Sequence, residues 1–279
     1  MTLFVILIIL MAALLHAVWN AIVKTAADRT TTLGLVALGH VIPGLAMILL
    51  LPPPSAQSLV YIALSTVVHF GYYFMLGKAY QHGDLSVVYP IARGIVPALV
   101  SLWAMVLVGE VLPLQAWGGI ALIALGIQLS SWSALRSGIG RSALGFALGT
   151  GFCISIYSVV DGIGVRLSGN TLSYWAWGAF LHVFIAGFVG IRKRDTLAAL
   201  PVKVWMIGIL GGLVSMTAYG LVLYAKNFAP LGAVSALRET SVIFAALIGF
   251  IFLHEGNWIR RLAAAALMAG GVALIGLAV

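Results

Sequence analysis

The stretch "LSVVYPIARGIVPALVSLWAMVLVGE" (residues 85–110) sets one arginine, Arg93, inside an apolar run, flanks it with Pro90 and Pro97, and ends on Glu110. A later stretch, "LGAVSALRETSVIFAALIGFIFLHE" (residues 231–255), repeats the pattern with Arg238 and Glu255. Each of these stands 145 residues after its counterpart, and Gly271 stands 145 after Gly126. A helix rises about 1.5 Å per residue, so roughly 20 apolar residues span a hydrocarbon core of about 30 Å. Both stretches have that length, and each carries a charge where a lipid-buried helix tolerates charge least.

Working outward, apolar runs fall at 3–24, 32–51, 59–82, 85–109, 113–132, 143–165, 171–191, 204–227, 231–254 and 257–278. Hydrophobic residues make up 62% of the 279, charged residues 8%, and the mean hydropathy is +1.13. A soluble domain carries about a quarter charged residues, so this composition points to immersion in lipid. Backbone amides in lipid must be bonded within their own segment, which predicts helices; β-barrel strands would be about half as long. The expected fold class is therefore an all-α integral membrane protein of ten transmembrane helices. The 145-residue echo divides the chain into residues 1–140 and 141–279, five helices each. An odd number of crossings per half predicts a 5+5 inverted repeat.

The connecting stretches are short, and none can hold a soluble domain. The formal charge of +8 sits mostly between apolar segments, which orients a membrane protein and does not indicate nucleic acid. Loops on one side would carry ten Lys or Arg residues, against Arg166 and Lys226 on the other. Taken alone, that count places both termini outside. The opening "MTLFVILIILMAALLHAVWNAIVK" lacks a basic n-region and is too long for a signal-peptide core, so it reads as a retained first helix. The lone Cys153 excludes an intrachain disulfide and a CxxC site.

The blocks "GEVLPLQAWGGIALIALGI" (109–127) and "HEGNWIRRLAAAALMAGGVALIG" (254–276), with the segment order, resemble the EamA-type transporters of the drug/metabolite transporter superfamily. "HAVWNAIVK" (16–24) resembles the first-helix pattern of one subgroup. The resemblance implies that each half ends its fourth helix on a glutamate, here Glu110 and Glu255, before a glycine-rich helix containing Gly118, Gly119 and Gly126, or Gly270 and Gly271. It also implies a multi-pass protein of the bacterial inner membrane, with cytoplasmic termini. On that last point it opposes the loop charges, and both orientations stay open.

Arg93 lies eight residues into its run, about 12 Å along a helix axis. Arg238 has the equivalent depth from the other face. A guanidinium fork suits a carboxylate or phosphate-like group, so the two arginines are the leading substrate or gating candidates; permanent structural pairing is the competing reading. Helical spacing groups His16 with Trp19 and Asn20, Tyr157 with Asp161, and His69 with Tyr72 and Tyr73. Tyr219 is a further candidate. His16 and Asp161 are again 145 apart, which places a titratable group at the same point of both halves. Asp161, Glu239 and His16 are the candidate proton carriers. Glu110 and Glu255 read as helix-end structural groups. Pro90 and Pro97 read as a hinge, whereas Ser235 and Val242 occupy the matching positions and predict a smoother second helix.

The expected function is a secondary active transporter moving a small polar metabolite, an amino acid or a related zwitterionic or anionic compound, by alternating access with proton coupling. Expected partners are that metabolite, protons and membrane lipids, with no nucleic acid and with the chain a monomer or weak homodimer. No cofactor, metal or catalytic residue is expected, since the chain has no HExxH, GxSxG, P-loop or Rossmann glycine pattern. A channel, a flippase for lipid-linked substrates and an integral membrane enzyme are the alternatives.

Overall fold

A computed structural model describes residues 1–24, 26, 28–83, 85–130, 132, 139–253 and 258–279. Glu255 lies outside the described residues. Within them the chain is helical throughout: α1 (Leu3–Lys24), α2 (Arg29–Leu50), α3 (Ala56–His82), α4 (Leu85–Gly94), α5 (Val96–Val108), α6 (Leu114–Ser130), α7 (Arg141–Leu167), α8 (Thr171–Phe180), α9 (Val183–Arg192), α10 (Arg194–Ala198), α11 (Val202–Ala225), α12 (Leu231–Arg238), α13 (Ser241–Leu253) and α14 (Trp258–Ala278). The result is an all-α, multi-pass bundle. Its outer faces are apolar, with side chains such as Leu50, Val67, Phe188 and Ile191 exposed, as lipid contact requires.

The expectation of ten crossings in a 5+5 inverted repeat is overturned. Among the described residues, seven helical stretches are long and apolar enough to cross a membrane: Leu3–Val23, Thr30–Leu50, Ala56–Ala79, Val88–Val108, Arg141–Leu167, Thr171–Arg192 and Val202–Ala225. The other three runs are not among them. Pro113 precedes α6, which is described over 17 residues, Leu114–Ser130. The polar start of α14 leaves Leu262–Ala278 as its apolar part. The run 231–254 divides into α12 and α13 at Glu239–Thr240.

Helix packing depends on small residues. α3 lies along α7, α6 along α14, and α11 against both α1 and α2. Where α6 meets α14, a Cβ on Gly119 would stand 2.7 Å from the Gly271 carbonyl oxygen, so only glycine permits this approach. Gly109, with φ of 73°, ends α5 in the left-handed conformation that glycine adopts without strain. The largest core cluster joins Ile9, Ile120, Ile123 and Met268 to Val234 and Leu237, so α1, α6 and α14 brace α12.

One end of the bundle is tied by polar bonds. Arg166 donates from Nη1 to Glu110 Oε1 (2.5 Å), from Nε to the Lys226 carbonyl (2.7 Å) and from Nη2 to the Ala229 carbonyl (2.9 Å). Glu110 accepts with its other oxygen from the Leu231 amide (2.7 Å), capping α12. Ser55 joins the same end, donating to the carbonyls of Leu167 and Ser168. Elsewhere, Asp28 caps α2 by accepting from the Thr30 and Thr31 amides and pairs with Lys193 at 3.1 Å. Those bonds, with the Thr31 hydroxyl foremost, hold its carboxyl down at about 2.

Candidate functional site

Three apolar stretches are interrupted, each beside a polar side chain. The first break lies at Gly94–Ile95, between α4 and α5. Pro97, at the start of α5, has no N–H to give the Arg93 carbonyl, so the ladder stops there. Pro90 stays inside α4. The second break lies at Leu181–His182, between α8 and α9. The third lies at Glu239–Thr240, where bonds tighten to Glu239 N to Ala236 O and Thr240 N to Leu237 O, both 3.1 Å. No proline marks the third, and the smoother helix expected there is not observed.

Arg93 occupies the last turn of α4, and Arg238 is the last residue of α12. Both cations therefore sit at C-terminal ends, where the helix dipole favours positive charge. Both are buried, at 4% and 7% exposure. Arg93 Nε donates to Glu239 Oε2 at 2.8 Å, and its Nη2 is buried with no partner. Its Cζ lies 5.9 Å from the centre of the Tyr89 ring. Among the described residues, Arg238 has no carboxylate within ion-pair distance; its Cζ lies 5.8 Å from the Tyr219 ring centre.

Tyr219 links this pair to a second group. Its hydroxyl donates to Asp161, which also accepts from the Tyr174 hydroxyl at 2.9 Å. On the same ring, at 5.7 Å, lies Lys226 Nζ, which donates to the Ser158 carbonyl at 2.8 Å and is fully buried. The buried cluster thus holds three basic side chains (Arg93, Arg238, Lys226) and two acidic ones (Glu239, Asp161), a formal excess of one positive charge. Glu110 and Arg166 neutralise each other at the tied end of the bundle.

The remaining expected residues divide between this cluster and other places. His16, Trp19 and Asn20 bond within α1: Trp19 Nε1 donates to His16 Nδ1 (3.1 Å) and Asn20 Nδ2 to the His16 carbonyl (2.7 Å). The charges of Arg93 and Arg238 act on His16, but no bond joins it to Asp161. His69 stacks on Tyr157, with centroids 4.1 Å apart, and Tyr72 stands edge-on to both. Tyr73 packs against Tyr72.

Several participants were missed from sequence. Tyr174 reads as an interfacial anchor because it opens an apolar helix, yet it is buried and bonds Asp161. Lys226 reads as a loop cation because it follows α11 by one residue. His40 and His182 carry no spacing signal, and only tertiary packing brings their rings to 4.5 Å. Among the described residues, no group of three or more His, Cys, Asp or Glu side chains could hold a metal ion.

Comparison with known proteins gives the fold and a family likeness. No curated protein matches the sequence. A solved structure described as "Crystal structure of protein" superposes with a TM-score of 0.79 at 18% identity, covering 98% of each chain, which establishes a shared fold. The family model described as EamA-like transporter family matches residues 141–277. The family likeness is thus confined to the second half of the chain, residues 141–277.

Proposed function

We propose that this protein is a secondary carrier for a small anionic or zwitterionic metabolite, an amino acid or a chemically similar compound. Arg93 and Arg238 would receive the substrate's carboxylate. The observation that carries the reading is Arg238: a guanidinium 7% exposed, with no acid in ion-pair range among the described residues. An unpaired buried charge costs several kcal/mol. A ligand that brings the missing negative charge removes that cost when it binds, so the cost becomes selectivity for anions. The unpartnered Nη2 of Arg93 offers a second donor on the same cluster. Discontinuous helices whose ends meet charged ligands are the form such sites take in secondary carriers, and the EamA-like match supports transport as the activity. Alternating access would carry the bound anion across. Asp161 and Glu239 are the acids through which a proton gradient is expected to act on it.

The test is a thermal-shift panel on the purified chain, covering amino acids, dicarboxylates, organic phosphates and their uncharged analogues. Carboxylate compounds are expected to raise the melting temperature, and Arg238→Gln to abolish that rise. Equal shifts from a carboxylate and its amide analogue, or a shift that survives Arg238→Gln, would refute the assignment.

A further inference from the structure

The break at Leu181–His182 belongs to neither arginine, and something other than substrate charge gathers there. His182 sits at the break itself, His40 comes from α2 and His69 from α3. Ring centroids are 4.5 Å apart for His40–His182 and 6.2 Å for His69–His182. The Nδ1 of His69 lies 2.8 Å from the Ser65 carbonyl, and that of His182 lies 3.1 Å from the Gly178 carbonyl. A carbonyl oxygen only accepts, so each Nδ1 carries hydrogen and each Nε2 presents a lone pair. His40 Nε2 is buried and has no partner. Three imidazoles are thus held together around a buried, unsatisfied ring nitrogen of His40, an arrangement that apolar packing alone does not call for.

We infer that His40, His69 and His182 form a proton-holding site, separate from the arginine cluster, that takes up one proton among the three rings. One proton is held by one ring nitrogen and shared with at most one neighbour; a second is opposed by like charge at these separations. The surroundings set the sign of the field. The charge of Asp161 on α7 acts on His69 and His182, and the charges of Lys226 and Arg238 act on His69. The other titratable groups nearby are Tyr72 on α3, Tyr157 on α7, Tyr174 on α8 and Tyr219 on α11, the last two donating to Asp161. Proton and anion are thereby linked: an anion on Arg238 cancels part of the field opposing the imidazolium, and an imidazolium strengthens anion binding by the same factor. This last step rests on the carrier reading above; the proton site itself does not.

The experiment uses no substrate, so its failure is separate from failure of the carrier reading. The full chain, labelled with 13C and 15N histidine, is placed in lipid nanodiscs. Imidazole spectra are assigned by single His→Gln variants. At about pH 8 all three rings are expected neutral, and at about pH 5 one equivalent of imidazolium is expected, spread over the three. Asp161→Asn is expected to reduce the imidazolium-to-neutral ratio about tenfold, the effect of one nearby charge worth about one pK unit. If Asp161→Asn does not fold, Arg238→Gln supplies the test with opposite sign, raising the ratio at about pH 6. Three rings still neutral at about pH 5, three independent protonations, or a ratio indifferent to the charge variant that folds would each overturn the inference.

Discussion

Removing the charge of Glu239 is the sharpest stability test the structure offers. Glu239 is 1% exposed and accepts from Arg93 Nε at 2.8 Å, with Arg93 itself 4% exposed. Glu239→Gln keeps the shape and an acceptor oxygen but strands Arg93 as a second buried cation without a counter-charge, beside Arg238. Breaking a buried pair from one side costs about 3–5 kcal/mol. Arg93→Met is milder, about 2–3 kcal/mol, because Glu239 keeps the Arg238 charge nearby and can take a proton. Removing both partners leaves no stranded charge and costs about 1 kcal/mol. At about 2 °C per kcal/mol for a chain of this length, Glu239→Gln lowers the melting temperature by about 6–10 °C and the double variant by only about 2 °C. The assay is tryptophan-fluorescence or static-light-scattering melting of the four proteins at one detergent and one scan rate. Additive losses in the double variant, or a Glu239→Gln loss under about 2 °C, would show that the pair is not the coupled buried contact described here.

Other outcomes follow from the same geometry. Gly119→Leu forces a side chain against the Gly271 carbonyl and is expected to cost at least about 2–3 kcal/mol in thermal melting; Gly118→Ala, with open space at its Cβ, leaves stability unchanged or raises it by up to about 1 kcal/mol. Arg166→Ala severs three bonds at the tied end and is expected to cost about 2–4 kcal/mol, more than Glu110→Gln, which leaves the two carbonyl contacts in place. Asp28→Ala removes the cap of α2 and costs about 1 kcal/mol near neutral pH. The Asp28 carboxyl is depressed to about 2, so its stabilisation is complete above the usual carboxylate range and is lost as pH falls from about 4 toward 2. With Asp28 and Lys193 more than a third exposed, screening keeps the ion-pair share small. Melting curves of wild type and Asp28→Ala should therefore converge toward about pH 2.

Helical, lipid-immersed character was legible because hydropathy averages over many residues, and one misplaced charge does not alter it. The number of crossings was not legible, because a helix ends for local backbone reasons that an average passes over. Pro97 announces the first break by its missing N–H. The breaks at His182 and Glu239 have no such marker and arise from tightened turns that tertiary packing holds in place. Arg93, Arg238 and Asp161 stood out in the sequence because charge in an apolar run is rare. Lys226, Tyr174 and His182 did not, since a lysine one residue beyond a helix, a tyrosine near a helix start and a lone histidine each have an ordinary explanation. The correspondence of His16 with Asp161 rested on sequence offset alone, and their bonding partners differ.

The knot of bonds around Arg166 also sets how that end of the molecule can move. Glu110 and Arg166 bond each other and three backbone groups of the 226–231 turn, so neither can leave without stripping a partner from the other. Parting there is a collective event, expected on microsecond-to-millisecond or slower timescales, and not the flicker of a single side chain. On the carrier reading proposed above, any opening at that end would be metered by the unfastening of a clasp, however quickly a ligand binds.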